Sequence, residues 1–130
     1  MDRPSADPRM APEAHNAIGS ALLLDLRHLD HQTLNDAGLR RIVLELFLGE
    51  APHYAANLRL AKDRKDWRMA VHTLKGVALN LGAFPLAWLC KDYELFDTAA
   101  DASTQRLAAE TLAARINDTA AAIRALLAQG

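Results

Sequence analysis

Residues 70–83 read Ala-Val-His-Thr-Leu-Lys-Gly-Val-Ala-Leu-Asn-Leu-Gly-Ala, and the apolar residues among them recur with the period of an α-helix. At about 100° per residue, these apolar side chains collect on one side of the helix. They are Ala70, Leu74, Val77 and Leu81, flanked by Val71 and Ala78. His72 falls roughly opposite the centre of this stripe, with Lys75 and Gly76 beside it. The sequence therefore predicts an amphipathic helix over about Asp66–Leu81 that presents a histidine to solvent.

On the N-terminal side of this stretch, helical periodicity predicts one long helix over about Asp36–Ala61. Asn35 or Asp36 can cap its first turn, where free backbone amides need an acceptor. Pro52 lies inside the pattern and should kink the helix or divide it in two, because proline lacks a backbone donor. The positions that carry the pattern mostly recur every three or four residues: Leu39, Val43, Leu46, Phe47, Glu50, Tyr54, Leu58 and Ala61.

Two more helices are predicted on the C-terminal side. Gly82 suits the end of the histidine-bearing helix, and Pro85 suits the first turn of the next one. The apolar face of that next helix is formed by Leu86, Leu89, Cys90, Tyr93 and Phe96. After a small acidic loop over 98–103, the last helix is expected over about Thr104–Ala128. Its stripe consists of Leu112, Ile116, Thr119, Ile123 and Leu126. Trp67 and Trp88 are expected to be packing residues near the ends of the middle two helices.

The short connections between these helices predict an all-α fold, an antiparallel up-and-down four-helix bundle with an N-terminal extension. Residues 1–17 contain three prolines among polar residues, so we expect a flexible leader there. Residues 18–130 should form the folded domain, with the core of the bundle over 36–128.

Composition limits the classes of function. The 130-residue chain carries a formal net charge of −1, which argues against nucleic acid or an anionic membrane as its main partner. Cys90 is the only cysteine, so no internal disulfide can form, and we expect no metal site and a buried thiol. No apolar run approaches the roughly 20 residues of a membrane span, and the first residues lack the apolar core of a signal peptide. We therefore expect a cytoplasmic protein.

The pattern His-x-x-Lys-Gly, followed by Asn-Leu-Gly-Ala, resembles the histidine phosphotransfer (HPt) domains of multistep two-component phosphorelays. The resemblance covers about Leu39–Leu127. A second motif strengthens it: residues 86–94 read Leu-Ala-Trp-Leu-Cys-Lys-Asp-Tyr-Glu, similar to the family's Leu-x-x-Leu-Cys-x-x-Leu-Glu. The family fold is expected to be the helical bundle already predicted.

The resemblance implies a role for each matching residue. His72 matches the phosphoacceptor, Lys75 the residue that offsets the charge of the phosphoryl group, and Gly76 the position that clears space for a partner. Glu94 matches a polar residue that often orients the active histidine from the adjacent helix. Asn80 belongs to the same motif and is expected to support the site. The chain departs from the family at Val77, where a serine is common, so the lifetime of a phosphohistidine could differ.

A docking surface is predicted around His72. Leu79 projects within about 20° of His72 and two turns along the same face, where an exposed apolar side chain suits a partner. Ala83 and Phe84 are expected to extend this surface, while Arg68 and Lys65 could steer an acidic partner towards it.

The resemblance further implies a phosphocarrier without kinase activity of its own. The expected partners are receiver domains of response regulators and a hybrid histidine kinase. No cofactor is expected on this chain, since the magnesium needed for transfer would sit on the receiver. The protein is expected to be a monomer.

Two alternative functions remain open on the sequence. The first is the dimerisation and phosphoacceptor domain of a sensor kinase, which usually has an acidic residue directly after the histidine, where this chain has Thr73. The second is a pseudo-HPt module that binds receivers without carrying phosphate. Solution mass tests the first alternative, and labelling by a phosphorylated receiver tests the second.

Overall fold

The computed structural model describes residues 23–95 and 102–129, which form five helices. They are α1 (Leu26–Gln32), α2 (Ala37–Leu60), α3 (Arg64–Leu81), α4 (Phe84–Glu94) and α5 (Ala102–Ala128). These two ranges contain no strand, so the predicted all-α class is confirmed. The predicted leader over 1–17, the position of Phe96 and most of the predicted loop over 98–103 lie outside the described residues.

The helix ends follow from side chains that satisfy free backbone groups. The Asp36 carboxylate accepts a hydrogen bond from the Leu39 N–H at 3.1 Å, and the Asp63 carboxylate accepts one from the Asp66 N–H at 2.8 Å. The Asp63 cap starts α3 at Arg64, two residues before the predicted start. Gly82 ends α3 with a φ of 78°, the left-handed conformation that glycine adopts most easily. The predicted cap at Asp36 and the predicted stop at Gly82 are therefore confirmed.

Helix α2 continues through Pro52 as a single helix, so the predicted alternative of two separate helices is wrong. Proline removes one backbone hydrogen bond, but Pro52 itself is exposed. The neighbouring Ala51 and Ala55 are buried in the core. Burial on both sides of the proline holds the backbone helical where local propensity alone would break it.

The core lies between the four helices that follow α1. Helix α3 contacts both α2 and α4, and α5 contacts the same two helices from the other side. Each of the four helices therefore has two neighbours among the other three, as a bundle requires. The antiparallel up-and-down order remains a prediction. The bulkiest fully buried side chains come from every described helix and from the residues before α1: Leu24, Leu29, Leu44, Leu58, Trp67, Val71, Leu74, Leu81, Leu86, Leu112, Ile116 and Ile123.

Three expectations about the buried faces were incomplete or wrong. The buried face of α3 includes Val71 and Ala78, whereas Ala70 and Val77 are only partly buried, so the predicted stripe is turned towards the first pair. In α2, Leu44 is buried and Leu46 is 65% exposed, because the face that meets α3 and α5 includes Phe47 and Ala51. Trp88 is 63% exposed and is therefore not a core residue, whereas the predicted burial of Trp67 and Cys90 is confirmed.

Residues before α2 pack against the bundle at the end of α3. The Asp25 N–H donates to the Gly82 carbonyl at 2.8 Å, and Leu24 is buried nearby. Helix α1 contacts α3, and an ion pair of 2.9 Å joins Asp30 to Arg40 of α2. In the part of the chain that the structure describes, no helix is both long enough and apolar enough to cross a membrane.

Candidate functional site

His72 lies near the middle of α3 on its solvent-facing side, and its side chain is 71% exposed. The buried residues Leu74 and Leu81 lie on the opposite side of the helix and hold it against the core. The predicted exposure of the histidine is therefore confirmed. An imidazole in this position is reachable from solvent by another protein.

Glu94, the last residue of α4, reaches across to α3 and contacts two of its side chains. One carboxylate oxygen, Oε2, lies 3.2 Å from Nδ1 of His72. The other, Oε1, accepts a hydrogen bond from Nζ of Lys75 at 2.5 Å. A single carboxylate therefore ties together the histidine and the lysine that stand one turn apart on α3.

Its two donors hold Glu94 in the ionised form. The hydrogen bond from Lys75 lowers the pKa of the Glu94 carboxyl most, and that from His72 lowers it further, against the opposing effect of burial. An ionised carboxylate can only accept hydrogen bonds. We therefore assign the hydrogen to Nδ1 of His72, which donates to Glu94. In the neutral ring, Nε2 is then left with a free lone pair.

Lys75 is less exposed than the sequence suggested. Its side chain is 24% exposed and is engaged by Glu94. Cys90 is buried nearby on α4, and burial raises the pKa of its thiol to about 12, with Lys75 opposing that rise. The thiol therefore stays protonated at neutral pH and does not compete with His72 as a nucleophile.

Gly76 stands one turn after His72 on the exposed side of α3. A Cβ built at this position would meet nothing within 4 Å. At Gly82, by contrast, it would approach the Asp25 carbonyl to 2.7 Å. A mid-helix glycine costs about 1 kcal/mol relative to alanine, and packing among the residues that the structure describes gives no reason for that cost at Gly76. Open space beside His72 is what the glycine provides.

The surface around His72 contains most of the predicted docking residues. Leu79 is 42% exposed, and both Arg68 and Lys65 are exposed on the preceding turns of α3. Asn80 is exposed as well, but it stands eight residues beyond His72, about 12 Å along the helix axis. Asn80 therefore does not lie next to the imidazole of His72.

The predicted extension of this surface through Ala83 is wrong. Ala83 is fully buried, because the chain turns back at Gly82 and the Ala83 N–H bonds to the Ala78 carbonyl at 2.9 Å. Phe84 is half-buried, with its ring packed against His28 and Trp88 at centroid distances of 5.1 and 6.2 Å. It offers only part of its ring to a partner.

Sequence reasoning missed three features of this site. The exposed Met69 stands one turn before His72, and the exposed Leu95 directly follows Glu94. Helical spacing could have placed Met69 on this face, but Leu95 required knowledge of where α4 ends. The ion pair between Lys75 and Glu94 was also missed, because it depends on how α3 and α4 are aligned across the turn.

Across residues 23–95 and 102–129, no group of three or more His, Cys, Asp or Glu side chains is placed to hold a metal ion. The Lys75 ammonium is the cation that contacts Glu94 among the described residues.

A comparison with protein-family models matches residues 42–129, about two thirds of the chain, to the Hpt domain. The chain therefore belongs to the Hpt domain family. Members of this family are phosphocarrier modules in two-component signalling that interact with receiver domains and kinases. Searches of the curated proteins and of the solved structures gave no match to this chain.

Proposed function

We propose that this protein accepts a phosphoryl group on Nε2 of His72 from the aspartyl-phosphate of one receiver domain and relays it to the aspartate of another. The observation that carries the proposal is the contact of 3.2 Å between Nδ1 of His72 and the ionised Glu94. It orients the ring and leaves the opposite nitrogen as the nucleophile on the exposed side of α3.

In the proposed reaction, the Nε2 lone pair attacks phosphorus and forms an N–P bond. The P–O bond to the receiver's aspartate breaks, and its electron pair stays on the released carboxylate. No proton has to leave Nε2, because Nδ1 carries the ring hydrogen. The imidazole ring gains positive charge as the bond forms, and the Glu94 carboxylate stabilises that charge. The reverse sequence passes the phosphoryl group to the next receiver.

Lys75 is proposed to offset the negative charge of the bound phosphoryl group. It stands one turn from His72, and its ammonium has three N–H donors, one of which already reaches Glu94. The remaining donors can serve phosphoryl oxygens without breaking that contact. Lys75 thereby links the carboxylate and the phosphoryl group, two anions that would otherwise repel each other.

The receiver is proposed to bind over the exposed side of α3. Leu79 and Met69 offer apolar contact on either side of His72, and Arg68 and Lys65 offer positive charge. Gly76 lets the receiver's active site approach the imidazole closely. The magnesium ion and the rest of the charge stabilisation are proposed to come from the receiver, so that this chain acts as a carrier and not as an enzyme.

We further propose that the carrier is a monomer, which argues against the dimerisation domain of a sensor kinase. One chain supplies α2, α3, α4 and α5, and these helices bury a shared core without a second copy. Light scattering should give the mass of a single chain. A stable dimer would favour the sensor-kinase alternative.

Phosphoryl transfer itself is tested by adding a magnesium-loaded, phosphorylated receiver from the same organism. Wild-type protein should gain a phosphate that is labile in acid and stable in base, and His72→Gln should gain none. His53→Gln is the matched control, since His53 is an exposed histidine on α2. Wild-type protein that binds the receivers but gains no phosphate would support the pseudo-HPt alternative instead.

A further inference from the structure

Trp67 lies on the buried face of α3, five residues before His72, and its side chain is fully buried. Its indole Nε1–H donates a hydrogen bond to the main-chain oxygen of Tyr93 at 2.8 Å. This bond crosses from α3 to the last turn of α4. It ends on the residue directly before Glu94.

The last turn of α4 is where such a bond matters most. The final carbonyls of a helix have no partner within the helix, so helix ends fray unless other groups satisfy them. The N–H of Leu95 also points to the Tyr93 oxygen. The main-chain oxygen of Tyr93 therefore accepts from both the Leu95 N–H and the Trp67 indole N–H. Glu94 lies between Tyr93 and Leu95, in the turn that the indole bond holds against α3.

The side chain of Glu94 depends on this backbone position. Its two oxygens must reach Nδ1 of His72 and Nζ of Lys75 at the same time, at 3.2 and 2.5 Å. Hydrogen bonds weaken steeply as distance and angle change, and functional groups need to be held to within about 0.5 Å. A frayed end of α4 would lose the longer contact, the one to His72, first.

We propose that Trp67 is a positioning residue for phosphoryl transfer: its indole N–H fixes the end of α4 so that Glu94 can hold His72 with Nε2 free. Trp67 does not touch the reacting atoms and acts only through Glu94. Its effect on the rate rests on the proposed function, whereas its effect on the His72 ring can be measured without any phosphate.

The first test is Trp67→Phe, which keeps an aromatic ring in the core and removes the N–H. Nitrogen NMR of His72 should show a fall in the Nδ1–H tautomer, and carbon NMR should show the pKa of Glu94 rising towards its ordinary value. Phosphoryl gain from the receiver should slow about threefold to tenfold, the effect of losing one hydrogen bond. Ile116→Val, a core truncation on α5, is the control for a small loss of stability and should leave all three measurements unchanged.

The second variant removes the N–H with less change in volume. Trp67 is replaced by the tryptophan analogue in which a sulfur atom takes the place of the ring N–H. The chain also carries Trp88→Phe, so that the analogue enters only at position 67. Trp88 is largely exposed, so the background change should leave the His72 tautomer as in the wild type. The sulfur analogue should reproduce the Trp67→Phe result.

The outcomes separate this inference from the proposed function. If the wild type gains phosphate and both position-67 variants keep the wild-type tautomer ratio and rate, the positioning role of Trp67 is wrong. If the wild type gains no phosphate, the proposed function is wrong, and the tautomer measurement still decides whether Trp67 positions Glu94.

Discussion

Two carboxylates join neighbouring helices in this protein, and their surroundings differ. Glu110 on α5 accepts two hydrogen bonds from Arg59 on α2, at 2.7 and 2.9 Å, and both side chains are about half exposed. Glu94 on α4 divides its oxygens between Lys75 and His72 on α3 and is only 24% exposed. Both carboxyl groups have a lowered pKa because of the cation beside them.

The difference shows when an interhelical ion pair can serve chemistry. The fork of Arg59 engages both oxygens of Glu110, so this pair joins two helices with the small effect on stability that is typical of surface pairs. Lys75 occupies one oxygen of Glu94 and leaves the other for the imidazole. Substitutions in the Arg59–Glu110 pair should therefore leave phosphoryl transfer unchanged, whereas substitutions in the Lys75–Glu94 pair should slow it.

The largest contrast is expected between Glu94→Gln and Glu110→Gln. Glu94→Gln removes the charge that stabilises the ring and lets the amide donate as well as accept, so both tautomers of His72 become populated. Phosphoryl gain should fall about 10- to 100-fold, as expected for the loss of a charged hydrogen bond. Glu110→Gln should transfer at the wild-type rate in the same receiver assay. If Glu94→Gln and Glu110→Gln gain phosphate at equal rates, Glu94 has no role in transfer that Glu110 lacks.

Lys75→Ala and Arg59→Ala extend the contrast to the cations. Loss of Lys75 should slow phosphoryl gain about tenfold, because the phosphoryl charge loses a nearby cation. The fold should survive with a loss of about 1 kcal/mol, since Lys75 is half-buried but outside the core. Arg59→Ala should leave the rate unchanged. Urea unfolding and the transfer assay measure both effects, and a Lys75→Ala protein that fails to fold would contradict this placement.

Gly76→Ala tests access to the imidazole, with Gly49→Ala as a matched control. A Cβ at either position meets nothing within 4 Å, so each variant should gain up to about 1 kcal/mol of stability. Only Gly76→Ala should slow transfer from a receiver, by a few-fold, while both should react normally with phosphoramidate, a small donor. If Gly76→Ala reacts at the wild-type rate with the receiver, Gly76 has no role in access.

The smallest effect concerns the dependence of stability on pH. The pKa of Glu94 is lower in the folded state than in the unfolded chain, so folding is stabilised above the ordinary carboxyl pKa. That contribution is lost as the pH falls through the lowered folded-state pKa. Between neutral and acidic pH, the free energy of unfolding should therefore decrease less in Glu94→Gln than in the wild type. Parallel curves for the two proteins in urea unfolding at several pH values would contradict the lowered pKa of Glu94 in the folded state.

The sequence could predict the parts of the site that lie on one helix. His72, Lys75 and Gly76 are related by helical spacing alone, and the same spacing separates them from the buried face of α3. Glu94 was assigned by resemblance, since no periodicity connects it to α3. Its simultaneous contact with Lys75 depends on the alignment of α3 with α4, which spacing along one helix does not specify.

The errors have physical reasons of the same kind. Ala83 was expected to extend the docking surface, but the backbone turns back at Gly82 and buries it, and spacing along α3 does not specify the direction of that turn. Leu46 was counted among the positions that carry the helical pattern of α2, yet it is exposed, because apolar spacing in this helix fits more than one face. The bond from Trp67 to Tyr93 joins residues 26 positions apart and has no signature in either segment.

The central claim is that Glu94 holds the hydrogen on Nδ1 of His72, so that Nε2 takes the phosphoryl group. Nitrogen NMR of the selectively labelled histidine, before and after phosphorylation by a receiver, tests it most directly. We predict the Nδ1–H tautomer in the free protein and a phosphorus coupling at Nε2 in the phosphorylated one, both weakened in Glu94→Gln. A phosphoryl group on Nδ1, or a tautomer ratio that Glu94→Gln leaves unchanged, would contradict the account.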